Sequence, residues 1–151
     1  MTQSYENFHL QFLAGIWREG SSDKINTVSN PYTGETLASI RSATAADLDE
    51  AYQAAAQAQV EWAKTTPATR SALLQRVVAI FDQRKEEIIN WLIRESGSTR
   101  LKATIEWGSA RGITQEAASM AYRSQGATMS SDIPGKENLV YRRPLGVVGV
   151  I

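Results

Sequence analysis

The chain has 151 residues, 42% of them apolar and 21% charged, a balance that suits an ordinary soluble globular protein. Lys and Arg total 16 and Asp and Glu total 16, so no net field exists to draw in nucleic acid or acidic lipid. There is no cysteine and a single histidine, His9, which excludes disulfides, thiolate metal sites and a cysteine nucleophile within these residues and leaves a histidine-based triad without support.

No apolar run approaches the ~18 residues a membrane span needs, and Met1 to His9 lacks the apolar centre of a secretory leader. The expected setting is cytoplasmic, with neither membrane nor nucleic acid as partner. Residues 10–17 hold two short apolar pieces around Ala14-Gly15, which predicts a tight hairpin in which Gly15 takes positive φ. After a polar turn from Glu19 to Asp23, Lys24 to Ser29 reads as a strand with Ile25 and Val28 as its apolar members. Asn30-Pro31-Tyr32-Thr33-Gly34 has turn chemistry. Glu35 to Arg41 reads as the next strand, with Leu37 and Ile40 as its clearest apolar members.

From residue 44 the period becomes helical. Thr44-Ala45-Ala46-Asp47 resembles a capping box, and Leu48, Ala51, Tyr52, Ala55, Ala58 and Trp62 recur at helical spacing. Thr66-Pro67 opens a second helix with Leu74, Val77, Val78 and Phe81 as its inner stripe. The charged run 84–87 marks a joint before a third helix carrying Ile88, Trp91 and Leu92, and Gly97 is its expected cap. A long helix from about Thr99 to Ser124 follows, with Leu101, Ile105, Ile113, Ala117 and Met120 as its apolar members and Gly108 and Gly112 as marks of close packing. The four tryptophans sit on different elements, which favours core or half-buried packing over a stacking platform.

Residues 125–143 change character. Ile133-Pro134-Gly135 signals a turn, and Asn138 to Arg143 alternates as an edge strand. Arg142-Arg143 could meet a phosphate, although a solvated strand edge or a subunit contact accounts for the pair more simply. Leu145-Gly146-Val147-Val148-Gly149-Val150-Ile151 is apolar without alternation, the pattern of a strand buried on both faces of an inner parallel sheet. Such a strand needs neighbours on both edges. The expectation is therefore the front third of a larger α/β protein. Gly146-Val147-Val148-Gly149 does not match G-x-G-x-x-G and is not read as a phosphate loop.

In order, these elements resemble the amino-terminal part of the aldehyde dehydrogenase superfamily. The resemblance rests on Gly15-Ile16-Trp17, Asn30 to Glu35, Trp62, Arg70, Leu73-Leu74, Glu95-Ser96-Gly97 and, most specifically, Arg143-Pro144-Leu145-Gly146-Val147-Val148-Gly149-Val150-Ile151. It implies an α/β fold: the amino-terminal part of a Rossmann-type domain, with a β-hairpin region and helical layer over 1–125, a β-arm serving homo-oligomerisation over 126–143, and the first strand of the sheet over 144–151. It also implies oxidation of a small-molecule aldehyde to a carboxylic acid with NAD or NADP in the full-length parent. The catalytic Cys, the general-base Glu and the ribose-holding residues of the family would all lie beyond Ile151. No catalytic residue is assigned, and neither tight cofactor binding nor activity is expected of the 151-residue chain alone. Glu95 to Ala103, with Ser98 where many relatives have Lys, resembles the branch acting on benzaldehyde- or vanillin-type aldehydes.

Site residues follow from the resemblance only. Ile151 would meet the nicotinamide side of the cofactor, where plain core packing is an equal alternative. Ala110 and Ile113 would flank the substrate tunnel, although helix-packing residues would read the same way. The carboxylate of Glu95 and the backbone carbonyl of Val28 would help hold a structural monovalent cation, oxygen donors suiting a hard ion; a solvated helix-end carboxylate is the plainer reading of Glu95. The rival interpretation of the whole chain is a non-catalytic remnant or interaction module that docks on a full-length relative.

Overall fold

The computed structural model describes residues 6–150. Six short strands and four helices follow one another as β1 (Gln11–Leu13), β2 (Ile16–Arg18), β3 (Ile25–Ser29), β4 (Thr36–Arg41), α1 (Ala45–Trp62), α2 (Pro67–Gln83), α3 (Lys85–Ser96), α4 (Arg100–Met120), β5 (Ala127–Met129) and β6 (Asn138–Val140). The strands form three separate antiparallel ribbons, β1-β2, β3-β4 and β5-β6.

Each ribbon follows from its turn. Leu13 pairs with Ile16, so Ala14 and Gly15 alone make the first turn, with φ of 50° and 87°. Positive φ at both positions matches the right-handed twist of the flanking strands, as in the type I′ hairpin. Between β3 and β4 the Asn30 side-chain oxygen accepts from the backbone N–H of Tyr32 and Thr33, and Gly34, at φ 74°, donates to the Asn30 carbonyl at 2.8 Å. The asparagine thus imitates a backbone turn and fixes the register. A bulge follows: Val28 faces Ala38 while Ser29 faces Thr36, which leaves Leu37 as the extra residue on β4.

The helix starts are those the sequence predicts. Thr44 accepts from the Asp47 N–H and Asp47 accepts from the Thr44 N–H, a reciprocal capping box. Thr66 caps α2 with Pro67 in its first turn, where a missing N–H removes no helical bond. At Arg84 the chain passes from α2 into α3, and the guanidinium forks onto Glu87 at 2.8 and 2.7 Å. Gly97 ends α3 in the left-handed conformation at φ 67°. A Cβ there would fall 3.0 Å from the Pro31 ring, so this position favours glycine for its backbone and also for the close approach of the β3-β4 turn.

The core lies where α4 crosses α2 and α3. Val78 of α2, Ile89 of α3 and Ala103 and Ala118 of α4 are buried, Ile89 and Ala103 almost completely at 1% and 0% exposure. Here the long helix departs from its sequence reading. Leu101, Ile105, Ile113 and Met120 face outward, and α4 meets its neighbours through the buried Ala103 and Ala118 together with the half-buried Trp107. Most of the large apolar members read from the sequence thus lie on the exposed face of α4. Gly108 and Gly112 do not mark close packing either, since a Cβ at either would meet nothing within 4 Å. Trp107 is half-buried and donates its indole N–H to the Phe81 carbonyl at 3.0 Å, while Trp17 and Trp62 are exposed, more so than expected.

The apolar run after residue 143 also differs from expectation. Residues 144–150 form no strand. A Val-rich run becomes a strand only when a neighbour takes its N–H and carbonyl groups, and among the described residues no strand lies beside it. Gly146 turns at φ 98°, and Gly149 passes so near α1 that a Cβ would fall 2.4 Å from the Tyr52 hydroxyl. Leu145 and Val150 are left more than nine-tenths exposed. Ile151 lies outside the described residues.

Candidate functional site

Val28 and Glu95, 67 positions apart in sequence, line one small cavity. The bulged β3-β4 ribbon brings Val28, Leu37, Ala38 and Ile40 to one wall, and α3 supplies Trp91 and Glu95 one turn apart on the other. Phe8 closes the third side with its ring centroid 4.3 Å from that of Trp91. Arg94 stacks its guanidinium over Trp91 at 4.7 Å and reaches Glu35 at 3.5 Å, which ties α3 to the start of β4. The cavity volume is about 130 Å³, and Glu95 is the one ionisable side chain in its lining. Among the described residues no group of three His, Cys, Asp or Glu side chains gathers as a metal cluster would. The cavity thus places the single Glu95 carboxylate beside an otherwise apolar lining that includes Val28.

Ala110 and Ile113 stand one turn apart on α4. Ala110 is half-buried and its carbonyl accepts from the Thr114 hydroxyl at 2.8 Å. Ile113 is 71% exposed and continues the outward apolar face begun by Leu101 and Ile105. The two side chains therefore flank open space at the margin of the helical layer.

Two arrangements were outside the reach of sequence reading. The first is centred on Asp47. Besides its capping role, this buried carboxylate accepts from Arg18 Nη1 at 2.9 Å, Ser21 N–H at 2.9 Å, Ser21 Oγ at 2.8 Å and Thr44 Oγ1 at 2.9 Å. Arg18 extends to Glu50 on the next turn at 2.7 Å. The backbone N–H groups of Thr44 and Ser21 hold the Asp47 carboxyl well below the usual carboxylate range; burial works against them, and Arg18 and the Ser21 hydroxyl add to them. Asp82 is likewise lowered, chiefly by the fork of Arg111 onto its two oxygens at 2.6 and 2.8 Å. The second arrangement is a larger recess where Arg70 of α2 meets Arg142 and Arg143.

Residues 17–151 match the aldehyde dehydrogenase family, and the chain belongs to that family. It is similar to the vanillin dehydrogenase of Corynebacterium glutamicum, with 50% identity over 139 residues, 92% of this chain and 29% of that protein. It is also similar to the benzaldehyde dehydrogenase YfmT of Bacillus subtilis, with 44% identity over 147 residues, 97% of this chain and 30% of the relative. Among solved structures, an NAD-dependent benzaldehyde dehydrogenase from Corynebacterium glutamicum superposes with a TM-score of 0.84 and 45% identity, over 91% of this chain and 30% of that one. The chain thus spans about 30% of the length of the relatives it matches, and its ribbons and helical layer form an α/β part of their fold. Among the described residues no helix is long and apolar enough to cross a membrane.

Proposed function

We propose that this chain supplies the first ribbons, the helical layer and the arm of an NAD- or NADP-dependent dehydrogenase that oxidises an aromatic aldehyde to its carboxylic acid. The observation that carries the reading is agreement with two aromatic-aldehyde dehydrogenases at 50% and 44% identity over nearly all of the chain. In the whole enzyme the aldehyde carbon would lose a hydride to the nicotinamide ring and gain an oxygen from water. This chain has no cysteine to act as the thiol nucleophile, and its described part carries no glycine-rich phosphate loop. Its role is positioning. Ala110 and Ile113 would border the path of the aldehyde, Ile151 would stand beside the nicotinamide, and residues 126–143 would extend the sheet of a neighbouring subunit. Glu95 and the Val28 carbonyl would hold a monovalent cation, a role supported by their shared cavity.

A chimera tests the reading. In the Corynebacterium glutamicum vanillin dehydrogenase, the matched segment is replaced by this chain. The chimera is expected to reduce NAD with vanillin or benzaldehyde, while the 151 residues alone give no reduction above a protein-free blank. A chimera that folds and assembles yet favours aliphatic over aromatic aldehydes would overturn the substrate class.

A further inference from the structure

A recess of about 500 Å³ beside the helical layer is lined by three arginines and no carboxylate. Arg70 comes from the first turn of α2, and Arg142 and Arg143 come from the segment after β6, so the cationic wall is assembled from positions 72 residues apart. Arg70 is oriented by a bond from Nη1 to the Thr65 carbonyl. None of the three forms an ion pair with a carboxylate among the described residues. Glu61, the acid nearest Arg70 along the chain, is engaged by Lys64 at 2.6 Å, and Glu137, five residues before Arg142, does not line the recess.

Three unneutralised guanidiniums around one hollow repel one another, and an anion seated between them relieves that repulsion. Guanidinium forks match the tetrahedral oxygens of a phosphoryl group, which can accept from several donors at once. Thr65 and Ser124 add hydroxyls to the lining, and the N-terminal end of α2 contributes to the same wall through Pro67. On the other side Trp62, Met120 and Ala121 form an apolar face. We propose that this recess binds a phosphoryl group, with Arg70, Arg142 and Arg143 on its oxygens and Trp62 beside whatever body carries it. The charge count favours a phosphoryl group over a carboxylate, because a single negative charge would leave two guanidiniums uncompensated.

The test is a titration of the chain with sodium pyrophosphate at constant ionic strength, followed by calorimetry and by the Trp62 indole and the Thr65 and Ser124 amides in ¹H–¹⁵N spectra. Saturable binding with shifts confined to those groups is expected, while acetate at the same ionic strength gives none. Arg142→Ala/Arg143→Ala is expected to weaken binding at least tenfold and Arg142→Lys/Arg143→Lys by less. Both residues are exposed, so neither double variant should disturb the helical layer, which far-UV circular dichroism verifies. Adenosine monophosphate separates the sources of the group: a tighter fit than ribose 5-phosphate, with a larger Trp62 shift, assigns a nucleoside phosphate, and equal binding assigns the phosphoryl group alone. Linear shifts that chloride reproduces, or unchanged affinity in the alanine double variant, would overturn the proposal.

Discussion

Two regions of this chain carry similar proportions of apolar residues and use them in opposite ways. In the helical layer, α2, α3 and α4 cover one another's inner faces, and Ile89, Val78, Ala103 and Ala118 leave the solvent. In the stretch from β5 to Val150, Met129, Ile133, Leu139, Tyr141, Leu145 and Val148 stay more than half exposed, and β5 and β6 pair with each other alone. A two-stranded ribbon is at best marginal in water by itself. The difference teaches where the fold is self-sufficient. The first region closes its own core, and the second leaves its apolar side chains uncovered. The first ribbons stand between the two, because the Asp47 network bolts them to the start of α1.

The comparison breaks most visibly at Ile89. Truncation to Ala leaves a void between α3 and α4 that rigid helices close only in part, a loss of about 2–5 kcal/mol. Urea unfolding monitored by circular dichroism should show it as a lower midpoint for the entire helical signal. A loss under about 1 kcal/mol would mean that the layer is loosely packed like the arm.

Asp47→Asn should follow in size, lowering the thermal midpoint by several degrees at neutral pH because the amide cannot accept from five donors. Its pH dependence is more specific. The folded carboxyl titrates below its unfolded value of about 3.9, so its contribution is complete above that value and is lost as pH falls toward the folded one. Wild-type stability should therefore decline below about pH 4, and the Asn variant should decline less steeply. Asp82, lowered in the same direction by Arg111, keeps the variant from becoming flat. Equal slopes would show that the network does not hold the ribbons to α1.

Gly126→Ala sharpens the contrast from the other side. A Cβ at Gly126 would fall 2.2 Å from the Val140 carbonyl, a backbone atom that cannot step aside without parting β5 from β6. Hydrogen exchange should accelerate at Ala127 to Met129 and Asn138 to Val140 while the helical melting curve stays put. A fall in the melting point of the helices would make the arm part of the core.

What the sequence disclosed follows the range of the interaction. Thr44 with Asp47, Thr66 with Pro67, the Asn30 turn and Gly97 were legible because each acts within about one helical turn of itself. The reach of Arg18 to Asp47 and the convergence of Arg70 with Arg142 and Arg143 join distant positions, and no local pattern encodes them. The outward face of α4 was hidden for another reason: helical spacing of apolar residues does not say which of them are covered, and here the fully buried ones are Ala103 and Ala118. The run 145–150 has a strand's composition, but a strand is a relation between two segments and composition describes one.

The smallest expected effect tests a detail that no pattern announced. Ala14 sits at φ 50°, in the left-handed region where a Cβ crowds the following carbonyl at a cost of about 1–2 kcal/mol. Ala14→Gly would relieve the crowding but add freedom to the unfolded chain, and the two nearly cancel. Asn tolerates this conformation without glycine's entropy, and Asn-Gly is the favoured pair for a two-residue turn of this hand. Ala14 is half-buried, so its polar replacement can still reach water. Ala14→Asn should thus stabilise the chain by about 0.5–1 kcal/mol, read as a small rise in urea midpoint with unchanged slope. The gain should register globally, because Leu13 is buried and Arg18 of the same ribbon grips Asp47. If the midpoint stays fixed while exchange slows only at Gln11 to Arg18, the β1-β2 ribbon opens independently of the helices. It would then belong, with the β5-β6 ribbon, to the part of the chain that the helical core does not hold.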